Sequence, residues 1–403
     1  MTTYNFDKIT NRKGTNCLKY DFAVERGKPA DVLPLWVADM DFPVSEEISK
    51  SLHAAVEHGI YGYTQPKDAY YNAVMNWMER NHNWKTEREW IVKTPGVVFA
   101  LGAAVKAFTD PGDAILIQNP VYYPFTNIIR DNDRRVIDNT LIYEKTTAQS
   151  GENGYRIDFE DFERKLEQEH IKLFILCNPH NPVGRVWTVE ELQQLGEICL
   201  RHHVIVVSDE IHNDFAYPGY EHTVFATVDP RFAEFTVTCT APSKTFNLAG
   251  LQISNIFIPN EKLRKAFQTE IDKTGYDEPN ALGIVACEAA YRAGEDWLDQ
   301  LRAYLLKNLN FLRNFLQEKI PQIHLVEPEG TYLVWLDCSE LGITGKELDQ
   351  FIVDKAGLWL DGGSMFGPSG AAFQRVNIAC PQATLELALN KLKAAVEGYG
   401  NHL

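Results

Sequence analysis

Residues 173–210 read LFILCNPHNPVGRVWTVEELQQLGEICLRHHVIVVSDE, and this stretch decides the fold. Two runs, Leu173–Cys177 and Val204–Val207, are continuously apolar, as strands covered on both faces are. Between them Thr188 and Glu191 have the spacing of a capping box, and Leu192, Leu195, Ile198 and Cys199 fall on one helical stripe. The local reading is strand, helix, strand. That is the repeating unit of a mostly parallel sheet.

The same rhythm continues in both directions. Ala114–Ile117 (AILI) is followed by Asn119-Pro120, and Val237–Thr240 (VTCT) by Ser243-Lys244. Each apolar run therefore gives way to a polar residue capable of chemistry, at the edge where open α/β sheets bind ligands. Further on, the amphipathic stretch DWLDQLRAYLLKNLNFLRNFLQEKI (296–320) leads to strand-like TYLVWLD (331–337) and QRVNIA (374–379). The predicted fold class is α/β: a mostly parallel central sheet with helices on both faces, plus a smaller α+β domain. The large domain is expected over 46–285. The small one is expected from the loop-like segment 1–45 together with 286–403.

Composition bounds the function. Of 403 residues, 45% are hydrophobic and 23% charged, the make-up of a soluble globular chain. Lys plus Arg number 39 against 55 for Asp plus Glu, a formal net charge of −16. Nucleic acid and anionic membranes both want clustered positive charge, so neither is expected as a general partner. Seven cysteines without a CxxC pair read as reduced thiols of a cytoplasmic protein. The opening MTTYNFDKITNRKG has no apolar core of a secretory signal, and no stretch approaches the roughly 18–20 apolar residues of a membrane span. Enzyme is the leading class.

Single residues leave alternatives open. Lys244, just after a strand and before apolar residues, is either a solvated loop lysine or a desolvated amine made nucleophilic by a lowered pKa. Asp209, after VIVV, either caps a helix, pairs with an arginine, or faces a protonated pyridine nitrogen such as that of pyridoxal phosphate (PLP). Asn181 lies in turn-forming NPHNPVG, yet its amide could donate to a phenolate or a carboxylate.

The ordered set NPHNPVG (178–184), VVSDEIH (206–212) and SKTFNLAG (243–250) resembles fold-type I PLP enzymes of the class I/II aminotransferase superfamily. Asn181 and Asp209 are 28 residues apart, Asp209 and Lys244 35. PLWVADMDFP (34–43), SKTFNLAGLQISN (243–255) and GSMFGPSGAAFQRVNIACP (363–381) narrow the resemblance to the MalY/PatB-type cystathionine β-lyases, or C–S lyases. It spans essentially the whole chain.

The resemblance implies that Lys244 holds PLP covalently and that Asp209 keeps its ring nitrogen protonated. Asn181 and His212 would lie near the ring's phenolic oxygen, where aminotransferases usually carry Tyr in place of the histidine. Tyr122 would stack on the ring and Tyr123 line the substrate pocket; otherwise both are core aromatics. Gly96, Val97 and Val98, opening a helix, would receive the phosphate with Ser243, and Tyr63 would reach in from the second subunit of a homodimer. Arg375, with Asn181 and Ala38, would hold the substrate, the guanidinium gripping its carboxylate. Many aminotransferases have an arginine eight residues after the lysine, and here that position is Gln252. The implied activity is α,β-elimination from L-cystathionine or related cysteine S-conjugates, giving pyruvate, ammonia and a thiol. Transamination at the same site, or a lyase with an added regulatory role, are the alternatives.

Overall fold

The computed structural model describes residues 2–145 and 152–400. Seven strands form the central sheet: β1 (Ile91–Thr94), β2 (Ala114–Ile117), β3 (Arg135–Asp138), β4 (Leu173–Cys177), β5 (Ile205–Asp209), β6 (Thr236–Thr240) and β7 (Ser254–Phe257). Their spatial order is β1-β7-β6-β5-β4-β2-β3, and only β7 runs antiparallel to its neighbours. The mostly parallel sheet read from the sequence is there. The three strands it did not single out are β1, β3 and β7.

The continuous apolar runs follow from double coverage. Leu173, Ile175 and Cys177 pack in one cluster with Ala100, Leu101 and Ala104 of helix α1 (Val97–Phe108). Phe174 and Leu176 face the other way, onto Leu192, Leu195 and Ile198 of α2 (Val189–Arg201). Alternate side chains of one strand thus meet helices on opposite faces. The Thr188–Glu191 capping box closes reciprocally at the start of α2. Gly196 lets α2 approach Phe232, whose ring lies where a Cβ would stand only 2.0 Å away.

The strand predicted as Val204–Val207 is Ile205–Asp209 in the structure. Its ladder continues past the apolar residues, pairing Asp209 with Cys177 on one side and Cys239 on the other. After α3 (Pro242–Thr245), a one-turn helix, and the long α4 (Glu295–Lys319), an antiparallel sheet is built from β8 (His324–Val326), β9 (Leu333–Asp337), β10 (Asp361–Gly362) and β11 (Phe373–Asn377), in the order β8-β9-β11-β10. The N-terminal segment is less loop-like than expected. It contains a short helix, Leu18–Asp21, and Leu33–Pro34 pairs with Leu358–Trp359.

Among the described residues no helix is long and apolar enough to cross a membrane, and no cluster of His, Cys, Asp and Glu could hold a metal. All seven cysteines are free.

Candidate active site

A cavity of about 170 Å³ opens at the carboxyl ends of β4, β5 and β6. Its lining includes Ala38, Gly96, Val97, Val98, Tyr122, Asn181, Asp209, His212, Ser243 and Lys244. The polar residues that follow each strand therefore converge, as ligand sites of open α/β sheets do. A larger cavity of about 390 Å³, between residues 215–220 and α4, has Arg302 as its only charged lining residue. Chemistry, not size, selects the smaller one.

Lys244 lies in α3, where Pro242 at the first position sets the turn. Its Nζ donates to the Ala38 carbonyl oxygen at 2.8 Å. Burial, reinforced by the Arg375 cation, lowers its pKa to about 8, with Asp39 and Asp209 acting in the opposite direction. Burial dominates at Asp209 as well, raising its carboxyl to about 7. Its one hydrogen bond comes from the Ile211 backbone N–H, at 3.2 Å. A carboxylate this buried with a single donor is short of a cationic partner.

His212 is buried with Nδ1 lacking any partner, and burial plus the Lys244 and Arg375 charges holds it well below the usual histidine value. Tyr122 is partly buried and its hydroxyl pKa is raised, chiefly by desolvation.

Arg375, on β11, reaches back toward the central sheet. Nη1 donates to Asn181 Oδ1 at 2.9 Å, and Nη2 to the Trp36 carbonyl at 3.0 Å and to Asp361. Its Nε is buried without a partner, so the guanidinium keeps a donor in hand. Phe366 lies beneath it, 4.9 Å from ring centroid to Cζ.

Segment 36–42 is held by the small sheet and its margin and by the loop after α3. Asn377 Nδ2 donates to the Val37 and Asp39 carbonyls and Asn247 Nδ2 to those of Met40 and Phe42, while Tyr332 OH donates to Ala38 O at 3.0 Å. Tyr332, Asp361 and Trp36 had not been marked as site residues. The residues TYLVWLD and PLWVADMDFP that contain two of them were noted only as a strand and as family likeness.

Three expected residues do not line this cavity, and of these Arg375 meets it through its bond to Asn181. Tyr123 lines a neighbouring cavity rather than this one, although its ring centroid is 5.5 Å from that of Tyr122. Tyr63 is 96% exposed and does not line the cavity of its own chain.

The donor set fits PLP. Gly96 caps α1, whose first N–H groups face the cavity as an anion cradle. Asp209 lacks a cation, His212 has a free ring nitrogen, and Lys244 supplies an amine. Gln252, in the arginine position of many aminotransferases, also lines the cavity.

A family model, aminotransferase class I and II, matches residues 30–392. The chain is 46% identical to cystathionine β-lyase PatB of Bacillus subtilis over 97% of its own length and 100% of that protein's. The chain belongs to the PatB/MalY-type C–S β-lyases of that PLP-dependent family. Protein MalY of Escherichia coli is 31% identical, over 98% of this chain and 99% of its own. The PLP-bound C–S lyase from Staphylococcus hominis superposes with a TM-score of 0.89 at 34% identity, covering 98% of each chain.

Proposed function

We propose that this β-lyase cleaves the Cβ–S bond of L-cystathionine or related cysteine S-conjugates, releasing pyruvate, ammonia and a thiol. The observation that carries this reading is the pairing, in one cavity, of a half-buried amine at Lys244, its pKa lowered, with a buried carboxylate at Asp209 that has no ion pair among the described residues.

PLP, when bound, supplies an electron sink for the carbanion at the substrate's Cα. Lys244 would hold it, with Asp209 at the ring nitrogen, Asn181 and His212 toward the phenolic oxygen, Tyr122 against the ring, and Gly96, Val97, Val98 and Ser243 around the phosphate. Arg375 binds the substrate carboxylate, with the free Nε among its donors and Asn181 beside it. Ala38 bounds the substrate on the side of segment 36–42. The Lys244 amine would take the Cα proton. Burial of the lysine favours its neutral form, the one able to act as a base. Tyr123, which lines the neighbouring cavity with its ring 5.5 Å from that of Tyr122, would assist the departing sulfur.

The large part of the molecule on this reading is 46–285, carrying all seven strands of the central sheet. The small part joins 1–45 to 286–403. The active unit is a homodimer in which Tyr63 reaches the partner's cavity. The support is the run Ile60, Tyr61 and Tyr63, 72%, 61% and 96% exposed, which water alone would cover at a cost. Seven free cysteines favour a cytoplasmic location.

The test is pyruvate formation from L-cystathionine by the PLP-loaded protein with no keto acid added. Steady release supports elimination. A strict keto-acid requirement would establish transamination instead.

A further inference from the structure

A second cavity of about 250 Å³ adjoins the first. Tyr122 lines one and Tyr123 the other, and the Arg375 guanidinium stands between them. It bonds Asn181 of the first cavity, and Trp36 and Asp361 of the second. The lining of the second cavity is mixed in an informative way. Arg26, Lys28 and Asp349 supply charge, and Ile352 and Leu360 supply apolar surface.

Neither cation makes an ion pair among the described residues. Arg26 instead lies over Trp36, 5.2 Å from its ring centroid, and Trp36 stacks on Trp359 at 4.4 Å. This stack fixes the base of an arginine whose donors remain unused. Asp349 accepts one hydrogen bond, from Gln374 Nε2 at 2.7 Å to Oδ1. Gly362 makes room for that carboxylate, for a Cβ there would stand 2.2 Å from Oδ1.

We propose that this cavity receives the far end of the thioether's leaving group, a second amino-acid zwitterion. Its carboxylate lies between Arg26 and Lys28, and its ammonium at the free oxygen of Asp349. The methylenes run over the apolar wall. A purely alkyl arm would leave both charge sets facing an apolar group, so the cavity favours thioethers with a charged distal arm. This assignment rests on the lyase reading and sharpens it by naming the substrate class.

The test compares kcat/KM for pyruvate release from L-cystathionine and from S-ethyl-L-cysteine, using the PLP-loaded protein and Arg26→Ala/Lys28→Ala. Arg26 is exposed and Lys28 partly so, so the variant keeps its fold. The ratio of cystathionine to S-ethylcysteine activity is expected to fall about tenfold or more, as loss of charge-assisted contacts requires. Asp349→Asn should lower the same ratio. A ratio within about twofold of wild type in both variants overturns the proposal. Wild type that releases pyruvate from neither substrate fails the lyase reading itself and removes this inference with it.

Discussion

Lys244 Nζ donates to the carbonyl oxygen of Ala38, 206 residues earlier in the chain, over 2.8 Å. The same oxygen accepts from Tyr332 OH, so the carbonyl stays satisfied when the lysine leaves it. The amine is therefore anchored but not committed. Its fate depends on its proton.

With its pKa lowered to about 8, Lys244 in the cofactor-free chain is an ammonium below that pH and a free amine above it. Only the amine attacks a carbonyl. The rate of covalent PLP incorporation, followed by borohydride trapping at Lys244, should climb toward pH 8 and then level off. A rate still rising to about 10.5 would mean an ordinary, solvated lysine.

Asp209 gives the opposite sign. Its folded pKa, about 7, lies above the unfolded 3.8, so the cofactor-free fold holds this proton more tightly than the unfolded chain does. Its contribution to stability is full below pH 3.8 and is lost as pH rises through 7. Asp209→Asn should stabilise the cofactor-free chain at pH 8 by about 1–3 kcal/mol in denaturant unfolding. The same change should cut pyruvate release by about 100-fold or more, the ring nitrogen having lost its counter-charge. Reduced stability would contradict the burial argument, and full activity the assigned role.

Legibility in the sequence followed covalent nearness. Asn181, Asp209 and Lys244 each come shortly after a buried strand, so the sheet's geometry alone carries them to one edge. Asp361 is different: it meets Arg375 because β10 pairs with β11 in that register, and a two-residue strand has no periodicity to read. Tyr332 and Trp36 meet the site through contacts spanning some 300 residues of chain. The strand β7, Ser254-Asn-Ile-Phe257, was missed because two of its four residues are polar. Ser254 is satisfied by Thr94, and Asn255 by Tyr70, both out of sight in the local pattern.

Arg375 and Asp361 are both buried, which makes the pair a sharp probe. Arg375→Ala should abolish substrate binding and also cost about 3–5 kcal/mol, because Asp361 is left as an unpaired buried charge. Arg375→Leu with Asp361→Leu should recover most of that stability and none of the activity. Thermal unfolding and pyruvate assays on the two variants separate the roles. If Arg375→Ala unfolds like wild type, the pairing is not holding β10 to the site.

The dimer reading can be tested by mixing two inactive chains. Lys244→Ala lacks the amine but keeps Tyr63, whereas Tyr63→Ala keeps the amine but lacks the tyrosine proposed to act in the partner's cavity. In a mixed dimer one of the two sites combines Lys244 of the second chain with Tyr63 of the first. Unfolding and refolding the two together should therefore restore activity that neither has alone, approaching one working site per mixed dimer. The exposure of Tyr63 makes its own loss harmless to folding, since it contributes no buried surface within its chain. No recovery on mixing, with both chains folded and dimeric by light scattering, would place Tyr63 outside the partner's site. Full activity of Tyr63→Ala by itself would do the same.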